Sequence, residues 1–367
     1  MWSRSTYSYV KFDSHVQLSL VRCRLHIENF EMAEFINPIV RRRKFYNVRK
    51  LTCTRDYKSL YRFDEVNVQW MATYFMGQEK NEKRGGALSN VDKLKIFLRC
   101  VGDPGFQTGV AEDIGIHQTT VSKIIVEIMD KILPKASTWI KFAQTEAEIQ
   151  NAKREWLDKY NFPAAIGVID CTHIRIVKPS VHGDEYINRK GFPSINVQAT
   201  CNSEEWFTSV DVSWPGSVHD ARICRNSDIK RVMEENREKA LLLGDEGYGI
   251  APWLMTPFKN PQTPEERAYN KLFTKERVII ERCFGQLKQR FPVLQYKVRL
   301  ALKSVPKLII CCFILHNIAK YLKDEMELLQ QIDLEENEIQ EEPMNNIRFR
   351  GQQKRREIAY IIYEQNL

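Results

Sequence analysis

The 367-residue chain lacks the marks of several common protein classes. Its longest apolar run, Leu308 to Leu315, is far too short to cross a bilayer, and the opening Met-Trp-Ser-Arg-Ser-Thr-Tyr carries no apolar segment of the kind that leads a secreted protein. Nine cysteines form no C-x-x-C pair, and none stands with a histidine at zinc-ligand spacing, which argues against zinc fingers and dithiol redox sites. An odd cysteine count without a secretory signal leads us to expect reduced thiols, mostly buried as small apolar residues, and an intracellular address. There is no G-x-x-x-x-G-K-S/T loop, no G-x-G-x-x-G turn and no internal repeat. P-loop hydrolysis and Rossmann-type cofactor binding therefore have no support.

What is present is positive charge, unevenly spread. The formal net charge is +8, and residues 324 to 342 hold nine Asp and Glu with no Lys or Arg, so the remainder carries 55 basic against 38 acidic side chains. That imbalance favours a polyanionic partner. Two short basic clusters, Arg41-Arg42-Arg43-Lys44 with Arg49 and Lys50, and Lys354-Arg355-Arg356, fit nuclear targeting or phosphate binding and equally fit an ordinary solvated face.

Residues 1 to 60 show little periodicity, and the polar stretch 78 to 87 reads as a loop. From Leu88 to Leu133 the pattern is helical. Ser89 or Asn90 caps a helix with the stripe Leu94, Phe97, Leu98 and Val101, stopped at Gly102-Asp103-Pro104-Gly105. A second helix, Thr108 to Ile114, ends at Gly115. A third begins near Gln118 and runs through Val121, Ile124, Ile125, Ile128, Met129 and Ile132 to Pro134. Two helices joined by a tight glycine turn fit a helix-turn-helix, whose second member would present Gln118, Thr119, Thr120, Ser122 and Lys123 to base edges or phosphates. A small helical bundle with no DNA contact satisfies the same pattern.

After a polar helix over Thr145 to Tyr160, the main domain opens with the β-branched run Ile166, Val168, Ile169, ending abruptly in Asp170. Residues 195–201 and 207–214 read as two further strands of an antiparallel meander, Asp220 falls in the first turn of the next helix, and Leu241 to Leu243 form a fourth strand ending at Asp245. A long helix, Glu265 to Phe291, buries Ile280, Phe284, Leu287 and Phe291, with Glu281 beside that stripe and one turn from Arg277. Leu308 to Ala319 is apolar nearly all round, so His316 and Asn317 read as satisfied core groups. Carboxylates at strand ends beside a sheet core are costly unless a cation or donors compensate them. Intervals of 49, 24 and 35 residues separate Asp170, Asp220, Asp245 and Glu281. If they converge, a hard divalent cation is the natural neutraliser, and two such ions suit phosphodiester chemistry.

The ordered motifs Asp170-Cys-Thr-His, Asn188-Arg-Lys-Gly with Ser194-Ile-Asn-Val-Gln, Trp214-Pro-Gly-Ser-Val-His-Asp220, Gly244-Asp245-Glu-Gly-Tyr, Arg277 to Glu281 with Phe284-Gly-Gln-Leu-Lys, and Leu315-His-Asn resemble the PIF/Harbinger transposase family, most closely the domesticated Harbinger transposase-derived nucleases of animals. The resemblance covers roughly residues 40 to 325. It implies an α+β, ribonuclease H-like DDE nuclease core, a mixed sheet flanked by helices, preceded by a small all-α helix-turn-helix-like domain. It further implies that Asp170, Asp245 and Glu281 are the catalytic acids holding Mg²⁺ or Mn²⁺, that Asp220 is a further metal ligand, and that the protein works on DNA with a Myb-like partner, in the nucleus with the cytoplasm as a second expected location. Cys171 stands where that family more often has glycine.

The expected organisation is an unassigned segment with a basic patch (1–60), a helical domain (61–135), a nuclease domain (161–322) and an acidic then basic tail (323–367). The leading reading is a metal-dependent DNA endonuclease. Its rivals are a catalytically silent DNA-binding or scaffold protein and, less well matched to the basic bias, a phosphatase of small phosphoesters.

Overall fold

The structure, a computed structural model, describes residues 21–22, 56–79, 88–103, 105–236, 239–326 and 345–365. The basic cluster at 41–50, most of the 78–87 loop and most of the acidic stretch lie outside the described residues.

A two-residue strand, β1 (Val21–Arg22), comes first, followed by α1 (Tyr57–Tyr61), α2 (Glu65–Met76), α3 (Asn90–Gly102), α4 (Gln107–Ile114), α5 (Gln118–Ile132), α6 (Ala136–Trp139) and α7 (Glu146–Tyr160). Local sequence explains their limits. The Ser89 hydroxyl accepts from the Asp92 N–H to start α3, and Thr145 with Glu148 forms a reciprocal capping box on α7. Gly115 takes the left-handed conformation (φ 75°) that ends α4 and turns the chain into α5, where His117 is the cap. The expected stripes of α3 and α5 are all buried. Of the polar first-turn residues, Thr119 and Lys123 are exposed, whereas Gln118 is half-buried and donates to Gln107 at 3.0 Å, tying α5 to α4.

The sheet is built from β2 (Ala165–Arg175), β3 (Ser194–Cys201) and β4 (Phe207–Pro215), then α8 (Asp220–Arg225), α9 (Asp228–Glu235), β5 (Leu241–Leu243) and β6 (Leu254–Met255). Its order among the described residues is β1-β4-β3-β2-β5-β6. The expected meander is present, with β2, β3 and β4 antiparallel, while β5 runs parallel to β2 and β6 parallel to β5. The segment between β5 and the long helix, which holds four prolines from 250 to 266, contributes β6. The long helix α10 (Pro264–Arg290) is continuous, opened by Pro264 and a Thr263–Glu266 capping box, and is followed by α11 (Pro292–Gln295) and α12 (Val305–Tyr321).

The result is a mixed sheet flanked by helices, as an α+β reading requires. Leu241 and Leu243 face an apolar cluster shared with α2, α3, α5, α10 and α12, while Leu242 faces a second cluster with α9, Tyr248 and Trp253. Helix α12, with the turn before it, is long and apolar enough to cross a membrane by composition, but most of it is enclosed in the first cluster. The basic C-terminal residues are not a loose tail: Asn346–Glu364 forms α13, laid against α10 and β6. Its Arg355 covers the Phe258 ring and donates to the Pro257 carbonyl at 2.7 Å, so packing occupies the middle residue of the 354–356 basic cluster.

Two buried acids fix how helices meet. Asp324, after α12, receives the Lys58 ammonium at 2.9 Å, the Asn67 amide at 2.6 Å, the Asp64 N–H at 2.9 Å and the Arg290 guanidinium at 3.3 Å. Burial alone would raise its pKa, yet these partners hold it below the usual carboxylate range. Glu276, in mid-α10, has one donor, the Trp156 indole of α7 at 2.6 Å; its other oxygen is buried without a partner, and burial pushes its pKa up to about 8.

Candidate metal centre

Asp170 and Asp245 meet because of strand register. In the parallel β2–β5 pair the last paired residues are Val168 and Leu243, and each acid lies two residues further on, where the strands part. Ligands of open sheets commonly bind in such a crevice at the carboxyl ends of parallel strands. Asp170, expected at a strand end, lies within β2, which runs on beside β3 to Arg175, and its carboxylate accepts from the Cys171 N–H at 2.8 Å; Asp245 accepts from the Gly247 N–H at 3.0 Å in a local turn.

Asp220 arrives from the far end of the meander. The turn after β4 passes so close to β3 that a Cβ on Gly216 would sit 2.2 Å from the Ser194 hydroxyl and 2.6 Å from the Tyr186 carbonyl, so only glycine fits there. That approach sets Asp220, the first residue of α8, beside Asn196 of β3, whose amide donates to it at 2.8 Å.

Carboxylate oxygens of Asp170, Asp220 and Asp245 all lie within 4.8 Å of one another, which makes this trio a group that could hold a metal ion. The pKa of Asp170 is pushed well above the usual carboxylate range, first by burial and then by the charges of Asp245 and Asp220; the Cys171 N–H and Arg277 oppose this only in part. Asp220 is raised as well, chiefly by burial. Two buried acids and a half-buried third that disfavour one another's charge are the donor set a divalent cation would relieve, and an all-oxygen set suits Mg²⁺ or Mn²⁺.

Glu281 is not part of that trio. It is buried on α10 with Oε1 2.7 Å from Arg277, the i,i+4 pair its spacing predicts. Arg277 also acts on Asp170 electrostatically, so it connects Glu281 to the cluster.

Of the residues that follow Cys171, Thr172 accepts from Lys288 of α10 at 2.6 Å, and His173 pairs with Ser194 at 3.1 Å. Cys171 lies 3.3 Å from the Tyr248 hydroxyl, and burial raises the pKa of both groups well above their ordinary values. His316 and Asn317 are core groups, as expected. Burial pushes His316 down to about 3, and Asn317 bonds both the N–H and the carbonyl of Phe207. Sequence reading assigned no role to Asn196 or Gln198, although their alternation with Ile195, Val197 and Ala199 places both on one face of β3. Each keeps a buried carbonyl oxygen without a partner.

The family model described as DDE superfamily endonuclease matches residues 169–317, a span that contains all four of these acids. The chain is 31% identical over 284 residues to a Bos taurus protein named "Putative nuclease HARBI1", covering 71% of this chain and 81% of that protein. This chain belongs to the family of Harbinger-derived DDE superfamily endonucleases. A Rattus norvegicus member with the same name is 32% identical over 242 residues, covering 65% of this chain and 69% of its own length. "Protein ALP1-like" of Arabidopsis thaliana is 23% identical over 284 residues, covering 72% of this chain and 66% of that protein. No solved structure matches the chain.

Proposed function

We propose that this protein is a DNA endonuclease derived from a Harbinger-type transposase, with a ribonuclease H-like core that hydrolyses phosphodiester bonds by a two-metal carboxylate mechanism. The observation that carries the reading is the aspartate trio at the carboxyl end of the β2–β5 pair, inside the endonuclease match. Asp170, Asp220 and Asp245 would hold Mg²⁺ or Mn²⁺, with Glu281 as the remaining acid. Bound there, the divalent ions supply activation of the attacking water and stabilisation of the leaving oxygen.

The chain's own contribution is placement and charge. The Cys171 and Gly247 N–H groups and the Asn196 amide keep the three carboxylates oriented toward one point. Arg277 pairs with Glu281, which would leave that pair to complete the set. Exposed Arg189 and Lys190, on the segment between β2 and β3, give the strand's phosphates a basic approach. Thr119 and Lys123, exposed near the start of α5, serve as a second DNA contact. We place the protein in the nucleus, with a Myb-like protein delivering it to DNA.

The test is Mg²⁺- or Mn²⁺-dependent cleavage of DNA with varied end sequences, with and without a Myb-like partner. Cleavage by the wild type that is lost in Asp170→Ala, Asp245→Ala and Glu281→Ala is expected. Undiminished cleavage by all three variants overturns the assignment, and metal-independent DNA binding without cleavage favours the scaffold reading. A fluorescent fusion excluded from nuclei contradicts the location.

A further inference from the structure

Beside Asp220 the structure opens into a cavity of about 270 Å³ lined by His173, Arg189, Asn196, Ser217, His219 and Asp220. This is slightly below the range usual for sites that enclose drug-sized ligands. One of the lining residues, Asn196, holds a buried acceptor without a donor. Asn196 is 1% exposed, and its Nδ2 donates both to the Val218 carbonyl at 2.9 Å and to the Asp220 carboxylate at 2.8 Å. Both neighbours are acceptors, so the orientation of the amide is fixed, and Oδ1 is left without a partner. Such an orphan carries a desolvation cost that a ligand N–H removes. Across the cavity, Arg189 lies near enough to Asp220 to act on it electrostatically. It projects from a turn held by Asn188, whose side-chain oxygen accepts from the Lys190 and Phe192 N–H groups at 3.0 and 3.3 Å.

We propose that this cavity receives a single nucleotide of the DNA strand, next to the bond that is cut, with its phosphate on Arg189 and an N–H of its base on Asn196 Oδ1. The inference rests on the endonuclease reading for the identity of the polymer, but the chemistry of the pocket stands by itself. A guanidinium selects phosphate. An ionised phosphate has no proton to give Asn196, and deoxyribose within a strand has none either, so the orphan acceptor calls for a base. A base can reach such a pocket only when unpaired or turned out of the duplex. The site would therefore couple cleavage to distortion of the DNA at one position.

Ligand-observed saturation-transfer NMR on the full chain in Mg²⁺ buffer tests this with the four 2′-deoxynucleoside 5′-monophosphates, 2-deoxyribose 5-phosphate and inorganic phosphate as probes. None of these contains a phosphodiester, so the readout is independent of cleavage. We expect at least one nucleotide to bind more tightly than the sugar phosphate. Binding should weaken roughly 10-fold in Arg189→Ala, with part restored in Arg189→Lys. In Asn196→Ala the nucleotide should fall to the level of the sugar phosphate, with a cooperative melting transition above the assay temperature establishing that each variant is folded. Equal binding of all probes, indifference to Arg189→Ala, or no transfer to any nucleotide overturns the proposal. Arg189- and Asn196-dependent nucleotide binding by a chain that cuts no DNA would retain the pocket and remove the endonuclease reading; cleavage without that binding would do the reverse.

Discussion

Asp324 and Asp170 are both buried carboxylates, and they are treated in opposite ways. Around Asp324 the fold gathers Lys58, Arg290, Asn67 and a backbone N–H, and the acid stays ionised below its usual range. Around Asp170 it gathers two more acids, one N–H and a distant Arg277, and the pKa rises. The first arrangement closes its own electrostatics and holds α1, α2 and α10 together. The second leaves its electrostatics open, a donor set that could hold a cation. Glu276 is an intermediate case: one donor, one unpartnered oxygen and a pKa near 8.

Substitution should separate these acids. The largest effect is expected at the open site, where Asp170→Asn or Asp245→Asn should lower Mn²⁺-dependent DNA cleavage about 1,000-fold or more, several kcal/mol of transition-state stabilisation, while the fold persists. Retained cleavage would place the chemistry elsewhere. At the closed site, Asp324→Ala strands Arg290 and Lys58 and should cost about 3–5 kcal/mol in urea unfolding; a loss under 1 kcal/mol would show that the network is not closed.

Glu276 should reveal itself through pH. Its folded pKa is raised from an ordinary 4.5 to about 8, so the folded state binds the extra proton and stability falls as pH rises across that window. The free energy of unfolding of the wild type relative to Glu276→Gln should decline by about 1.4 kcal/mol per pH unit there and level off above it. Parallel curves would mean that Glu276 is ionised in the fold. The smallest change is Asn67→Ala, which removes one of several donors to Asp324 and should cost about 1 kcal/mol.

Much of this was legible in the sequence, for reasons that differ by element. The α3 and α5 stripes, the three antiparallel strands and the place of Asp245 beyond β5 follow from periodicity and turn chemistry, which act over a few residues; Asp170, read as a strand end, lies inside β2 because the chain stays paired with β3 as far as Arg175. The convergence of Asp220 does not follow from periodicity. It depends on the close passage at Gly216 and on Asn196, contacts that bring together residues 24 apart in the chain. Pairing with Arg277 could be foreseen from an i,i+4 spacing, but the exclusion of Glu281 from the trio could not. The α13 helix was missed because its basic residues read as solvated, whereas Arg355 lies over Phe258 and buries its stem there.

The central claim is that Asp170, Asp220 and Asp245 are held together for a cation and against their own repulsion. Thermal unfolding of the wild type, Asp170→Asn and Asp245→Asn, each in EDTA and in Mn²⁺, tests it most directly. The account predicts that both variants melt above the wild type in EDTA, by an amount equivalent to about 1 kcal/mol, because a buried like charge has been removed, and that Mn²⁺ raises the melting temperature of the wild type but hardly that of the variants. Variants that melt below the wild type in EDTA and respond to Mn²⁺ as it does would contradict it.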